Sequence, residues 1–427
     1  MTQTSRQLST SKFFNLKTIA SRLEVTKLFC FVVTISVIVV PSQVFALGVR
    51  LPDQDAFATA RGEAFAATAD NPSAIYYNPA GITQLDGVNV RVGAYGIFLN
   101  DHYSNAGGAS VNTRQKLQGI PQIFLTAGCP KMPVSFGLGV YAPYGLGLEW
   151  PDNAPFTLSP NVPKKGEIQY FTLNPVIAVK PLKTLSLSAG PTINYAETDL
   201  RFTPGGEPNS FKFRGRDDDV GFNAGILWQP WTKHSFGVSY RSETTMNFSG
   251  HSDLSIPGFL TVQGQNASAN FPFPQNVVFG YSFRPTTNWN LEVNADWTDW
   301  HRLKTLTLNN SATGVQAVPL NWQSSWFYEF GVTRYFDCGW RVSGGYIYSE
   351  NSVPDGTFNP IVPDSDRHIF SIGVGRTYHD RLSWDLTYQC AYGPDRTVSG
   401  QTGANFGVNG TYQYISHALS FSVGYHF

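Results

Sequence analysis

Charge is scarce in this chain: aspartate, glutamate, lysine and arginine make up 14% of its 427 residues, where an ordinary soluble domain carries about a quarter. The two signs balance, 30 against 30. That balance, with no basic patch interleaved with aromatics, excludes a polyanion-binding surface, so no nucleic acid partner is expected. Cysteine is scarcer still. Beyond residue 46 only Cys129, Cys338 and Cys390 remain, an odd and sparse set that makes no disulfide framework. The eight histidines are scattered, with no pair at metal-binding spacing. Neither a glycine-rich phosphate loop before a helix nor a nucleophile elbow occurs, and the adjacent Ser416 and His417 would point to opposite faces of a strand. Asp217, Asp218 and Asp219, beside Arg214 and Arg216, read as a solvated loop end. Neither an enzyme nor a cofactor is expected. No low-complexity linker divides the chain, and no apolar run after residue 46 is long enough for a membrane helix.

The first 46 residues read as a secretory signal peptide. Arg6, Lys12, Lys17, Arg22 and Lys27 form a positive leader, and Leu28 to Val40 an apolar core of signal-peptide length. Pro41 breaks that core. Val44-Phe45-Ala46 is a small-residue cleavage site, which would make Leu47 the first mature residue.

Aromatics are abundant, at 14%, and they fall in a pattern. Fourteen short stretches alternate apolar with polar, from 88–99 to 413–427. The gaps between them are alternately tight and long. The tight ones are Cys129–Met132, Pro181–Lys183, Pro230–Thr232, Pro285–Thr287, Asp337–Cys338 and His379–Asp380. The long ones centre on 100–115, 151–165, 199–216, 249–273, 309–322, 351–366 and 394–412. Short turns on one rim, long loops on the other and an even strand number specify an outer-membrane barrel. The expected fold is all-β: a fourteen-stranded antiparallel transmembrane barrel spanning 87–427, with outer-membrane lipid as its surroundings.

Successive side chains on a strand point to opposite faces. In the last stretch Ile415, Leu419, Phe421, Val423, Tyr425 and Phe427 share one face, and Ser416, Ala418, Ser420, Ser422, Gly424 and His426 the other. The polar set should face the bore, because carboxylates such as Glu292, Asp296 and Asp385 on equivalent faces are costly in hydrocarbon. Aromatic pairs near segment ends (Trp228 and Trp231, Trp297 and Trp300, Trp322 and Trp326) suit the two membrane–water interfaces. The terminal Phe427 resembles the recognition signal of outer-membrane barrel assembly, which makes the assembly machinery an expected partner. A bore this wide is either water-filled or plugged.

Residues 47–86 do not alternate. Ala56, Ala58, Ala60, Gly62, Ala64, Ala66, Ala67 and Ala69 make them small and close-packing, a poor domain by themselves but a good stopper for a wide barrel. Ala60-Arg61-Gly62-Glu63-Ala64, followed by Asn71-Pro72-Ser73-Ala74-Ile75-Tyr76-Tyr77 and Asn78-Pro79-Ala80-Gly81, resembles the N-terminal hatch of the FadL-type outer-membrane transporters of long-chain fatty acids and aromatic hydrocarbons. A second match is Gly137-Leu138-Gly139-Val140-Tyr141-Ala142-Pro143-Tyr144-Gly145-Leu146, ending at Glu149-Trp150. The resemblance covers the whole mature chain. It implies a monomer that imports a hydrophobic small molecule passively.

The second match also carries its own physics. Pro143 cannot donate to a ladder, and Gly145 weakens one, so the third strand is expected to kink at Pro143, Tyr144 and Gly145. The resemblance implies that such a kink opens the wall beside the hatch and releases the substrate sideways. It also places a capture groove among the third and fourth outer loops. Here the fourth, 249–273, offers Leu254, Ile256, Phe259, Leu260 and Phe271, while the third, 199–216, is short and polar. Arg91, Arg284 and Arg341 are candidate lumen cations for a carboxylate-ended substrate. The competing readings are a general porin-like channel, which would conduct sugars and salts, and a structural or adhesive barrel.

Overall fold

A computed structural model describes residues 48–427 apart from 116, 130, 131, 312 and 313. The signal peptide and its cleavage site therefore lie outside the described residues. Twenty segments build one antiparallel sheet. The first six are β1 (Gly87–Ser104), β2 (Ser110–Asn112), β3 (Leu117–Gly128), β4 (Val134–Tyr141), β5 (Gly145–Glu149) and β6 (Lys165–Leu182). Next come β7 (Leu185–Phe202), β8 (Ser210–Trp231), β9 (His234–Arg241), β10 (Thr244–Ile256), β11 (Leu260–Phe273) and β12 (Asn276–Thr286). Then follow β13 (Trp289–Thr298), β14 (Thr305–Asn310), β15 (Gly314–Pro319) and β16 (Ser325–Tyr335). The last are β17 (Trp340–Ser349), β18 (Arg367–Tyr378), β19 (Leu382–Val398) and β20 (Gly410–His426).

Six wall strands are interrupted, each built from two consecutive segments: β2–β3, β4–β5, β9–β10, β11–β12, β13–β14 and β15–β16. The other eight are single segments, giving fourteen strands. The sheet closes where β20 pairs with β1, from Asn89↔His426 to Ser104↔Thr411. The chain is thus a closed fourteen-stranded antiparallel barrel, as the alternation required. The six tight turns fall where the short gaps stood.

Faces follow the alternation at membrane depth. On β20, Leu419 is 59% exposed and Phe421 48%, whereas Ser420 and Ser422 between and beside them are 1% exposed. Hydrocarbon takes the apolar set and the bore the polar one. Above the membrane the phase inverts. On β8, Val220, Phe222, Ile226 and Trp228 are exposed and point outward, while Phe211 and Phe213, on the opposite parity, are buried inside. The outward partners there are Lys212, Arg214 and Arg216. Water now lies outside the wall, and the apolar side chains turn into the barrel mouth.

That inversion corrects the loop boundaries. Residues 249–273 are mostly strand: β10 and β11 form a hairpin turning at 257–259. Residues 199–216 likewise belong largely to β7 and β8, so Asp217–Asp219 sit within a strand and not at a loop end. Trp300 and Trp322, expected at an interface, are buried inside and meet edge to face at 5.0 Å. Residues 299–304 leave the sheet between β13 and β14, and that excursion carries Trp300 inward.

Residues 48–86 pack on inward-facing wall residues. The short helix Ala56–Ala60, capped by the Asp55 carboxylate, lies against β17 to β20. The single helical turn Ala74–Tyr77 is followed by the 3-10 turn Pro79–Gln84, which lies against β6, β7 and β8. Small residues on both sides permit this. A Cβ on Gly345 would stand 1.9 Å from the backbone nitrogen of Gly62, and one on Gly237 would stand 2.1 Å from the carbonyl oxygen of Ala66. Only glycine lets the two backbones approach so closely.

Buried ion pairs fix the segment in place. Arg50 reaches Asp296 (2.6 Å) and Arg61 reaches Glu292 (3.3 Å). Glu292 also accepts from the Ala67 and Thr68 backbone N–H groups at 2.7 and 3.0 Å. Charges buried this deeply must be paired and hydrogen-bonded to be tolerated.

Candidate functional site: an apolar chamber beside an interrupted wall

The inverted upper faces enclose a chamber. Leu146, Ile168, Phe248, Phe271, Leu320 and Trp322 are among the residues that line a cavity of about 60 Å³, and Val49 of the N-terminal segment joins its lining. Its few polar neighbours, Asn161, Thr198 and Asn359, are uncharged, and among the described residues no lysine, arginine or histidine lines it. On the usual measure of about 10–15 Å³ per water the void is small. An apolar guest would enter by displacing side chains.

The third wall strand breaks beside this chamber. β4 pairs with β3 up to Val140↔Ile123, whereas β5 pairs with β6 from Gly145↔Gln169 onward and has no ladder to β3. Between them residues 142–144 turn inward. The N-terminal segment takes up the backbone groups this frees. Leu51 N–H donates to the Pro143 carbonyl and Gly145 N–H to the Val49 carbonyl, each at 2.8 Å. Arg50 and Tyr144 form an antiparallel bridge, and the Gln54 amide spans both backbone groups of Ala142. Pro143 has no N–H to leave unpaired. Tyr144 is buried, its ring 5.1 Å from Tyr170 and 4.9 Å from Phe273, and its hydroxyl donates to the Pro274 carbonyl at 2.8 Å.

In the Asn78-Pro79-Ala80-Gly81 motif each residue has a distinct contact. The Asn78 side chain accepts from Ala80 N–H (3.2 Å) and donates to the carbonyls of Ala66 (2.7 Å) and, on the wall, Ile226 (2.9 Å). Pro79 begins the 3-10 turn where an N–H would be unused. A Cβ on Gly81 would fall 2.3 Å from the Ala69 carbonyl oxygen.

Of the five loop residues nominated from the sequence, Phe271 lines the chamber and Leu254 packs against the core around it. Ile256 is half-buried, while Phe259 and Leu260 stand exposed at the hairpin tip. The three nominated cations lie elsewhere. Arg91 and Arg341 share Asp385, at 2.8 and 2.7 Å, Arg91 also holds Asp55, and Arg284 pairs with Asp70 at 2.8 Å. Phe427 donates its N–H to the Val88 carbonyl (3.0 Å) and stacks its ring edge-on against Tyr425.

Sequence reasoning missed Arg241, which is buried near the kink. Its guanidinium lies over the rings of Tyr76 (4.8 Å) and Tyr141 (5.2 Å) and donates to the Tyr141 hydroxyl at 2.7 Å. Alternation with inward Ser239 was the available signal.

Residues 37–427 match the model of the family described as outer membrane protein transport protein (OMPP1/FadL/TodX). The chain belongs to this family. It is an outer-membrane transporter of the FadL/TodX type, a class of passive carriers of hydrophobic compounds and not of enzymes. It is 24% identical over 412 residues to the long-chain fatty acid transport protein of Escherichia coli O6:H1, covering 82% of this chain and 88% of that one. To outer membrane protein P1 of Haemophilus influenzae it is 20% identical over 418 residues, covering 83% and 88%. A crystal structure of a Pseudomonas aeruginosa FadL homologue shares the fold with a TM-score of 0.77 at 19% identity, covering 89% of this chain and all of that one. The Ralstonia pickettii toluene transporter TbuX does so with a TM-score of 0.68 at 15% identity, covering 90% and 100%.

Proposed function

We propose that this barrel takes up hydrophobic small molecules by passive diffusion, with residues 48–86 closing the bore to water and solutes. A guest is captured at the outer rim and enters the apolar chamber. It leaves sideways into the bilayer through the break at Pro143, Tyr144 and Gly145. The contact between Tyr144 and Tyr170, which joins the chamber's surroundings to the interrupted strand, is the observation that carries this reading. A lateral exit spares an apolar molecule the polar bore, where water would solvate it poorly.

The uncharged chamber lining favours an uncharged guest, such as the toluene named for one structural relative. A carboxylate-ended guest, such as the long-chain fatty acid named for the Escherichia coli relative, is the second reading. Arg241 favours it, because its hydrogen bonds run to a tyrosine hydroxyl and the Tyr76 carbonyl. The barrel acts as a monomer, and the assembly machinery reads Phe427.

Uptake by cells expressing the chain, against cells without it, tests the proposal. Radiolabelled toluene and oleate are compared with a disaccharide, whose mass is comparable to that of oleate. Faster entry of either apolar compound, without faster entry of sugar, is the expected result. Sugar entry instead would establish a general pore, and no change for any solute would leave a structural barrel.

A further inference from the structure

The ladder between the sixth and seventh wall strands is also broken. β8 pairs with β10 down to Arg216↔Ser249, and with β9 from Asn223↔Arg241 onward. Between these limits, over six residues of β8, no ladder pair forms. At about 3.4 Å per residue the gap is roughly 20 Å long. Its lower end is tied by the Ser242 N–H to the Phe222 carbonyl and by the Phe222 N–H to the Ser242 hydroxyl, each at 2.9 Å.

Across the rest, side chains replace backbone. The Asp219 carboxylate accepts from Thr245 N–H at 2.7 Å, and the Asp217 carboxylate accepts from Asn247 N–H at 2.6 Å. At these two positions a carboxylate oxygen stands where a backbone carbonyl would accept in a regular ladder. The adjoining ladders, β7 with β8 and β10 with β11, run through the same level.

The surroundings give this slit two different sides. Outside, Val220 is 63% exposed and Phe222 50%, which places its lower part against hydrocarbon. Its upper end opens into a polar hollow of about 1270 Å³ on the outer wall, lined by Arg214, Arg216, Ser249 and Asn266 among others. The two carboxylates are tolerated so near the membrane because each accepts from a backbone N–H of the facing strand. Inside, Met246 and Phe248 are buried directly behind the slit, and Phe248 lines the apolar chamber. Tyr170, in contact with Tyr144 at the third-strand break, also meets Thr244 at the slit's edge, oxygen to oxygen at 3.0 Å.

We infer that this slit is a second portal, through which apolar molecules dissolved in the outer leaflet enter the chamber directly. The inference rests on the uptake reading above and adds a source: the membrane itself, alongside the outer rim. Lipid concentrates hydrophobic compounds from dilute water, so an entrance at that depth meets them where they are most abundant. Asp217 and Asp219 satisfy the strand's N–H groups without closing the wall.

The test uses the full-length protein in lipid vesicles, with Cys129, Cys338 and Cys390 replaced by serine and Val220→Cys combined with Thr245→Cys, which leaves both carboxylates and the Thr245 N–H in place. Pyrene, supplied either in the vesicle lipid or from water on a cyclodextrin, is followed by energy transfer from tryptophan. Oxidation to the disulfide should slow loading from lipid about tenfold, leave loading from water unchanged, and reverse on reduction. Equal loading from lipid in both redox states would overturn the portal. Absence of loading by either route in the reduced protein would instead sink the uptake reading.

A second measurement needs no disulfide. In the same serine background, Met246→Cys should react with a pyrene maleimide dissolved in lipid far faster than Thr387→Cys, which is buried behind the unbroken ladders of β18, β19 and β20. Equal rates would count against an opening.

Discussion

The carboxylate of Asp55 grips Arg91 through both oxygens, one of them 3.0 Å from Nη2, while the same carboxylate caps the helix Ala56–Ala60. Arg91 is a wall residue that also reaches Asp385. A single side chain therefore joins the start of the helix to the barrel. Asp55→Ala should release that end of the segment and leave Arg91 with one partner. Removing one member of a buried pair costs about 3–5 kcal/mol. The barrel ladders are untouched, so the variant should still show heat-modifiable migration. Its ion conductance in planar bilayers should rise, with faster proteolysis within 48–86. Unchanged conductance would mean that the segment does not close the bore.

Straightening the third strand should separate transport from folding. Pro143→Val restores a backbone donor, and Gly145→Val favours extended backbone, so the pair should draw residues 142–144 back toward β3. Uptake of apolar compounds should then fall about tenfold or more while the barrel assembles normally. Wild-type uptake by a well-folded double variant would remove the break from the pathway.

How far the sequence could be read depended on which solvent each strand face meets. At membrane depth lipid enforces strict alternation, so strand number, tight turns and the orientation of Leu419 and Ser420 were all legible. Above the membrane, Phe211, Phe213 and Phe271 switch to the inner face, and the same two-residue period passes for loop. Residues 249–273 were misplaced for that reason. Trp300 and Trp322 were misread because an aromatic near a strand end suits an interface and a chamber equally well. Arg61, Glu292, Arg50 and Asp296 are far apart in sequence, and only closure of the barrel shows that they pair. The Asn78 motif was visible as a resemblance; its bonds to Ala66 and Ile226 needed the fold.

The chamber lining makes a direct prediction about guest charge. Phe271 faces the cavity among Phe248, Ala269 and Leu320. Phe271→Asp would place an unpaired carboxylate beside the guest, and loss of apolar ligand affinity by about tenfold, or about 1.4 kcal/mol, is expected. Phe271→Ala, which removes bulk without adding charge, should keep binding. Quenching of Trp322, which shares the cavity, offers the readout. Equal affinities in both variants would place the ligand elsewhere.

Seating of the N-terminal segment should weaken as pH rises. Glu63 is fully buried and takes a 2.6 Å hydrogen bond from the Tyr77 hydroxyl. Burial, and then the nearby charge of Asp53, hold its carboxyl well above the usual glutamate value of 4.5. Burial raises Asp53 as well. Below 4.5 the seated and released segments both carry the Glu63 proton, and seating is at full strength. Between 4.5 and the raised value, the released segment has lost that proton while the seated one keeps it. Each step upward in that window therefore favours release, and above the raised value the loss levels off. Conductance and proteolysis within 48–86 should increase across the window. Glu63→Gln, which stays neutral and can still accept from Tyr77, should flatten the Glu63 part of the profile and leave the smaller Asp53 part. A profile identical to wild type in Glu63→Gln would show that Glu63 is not the group that titrates.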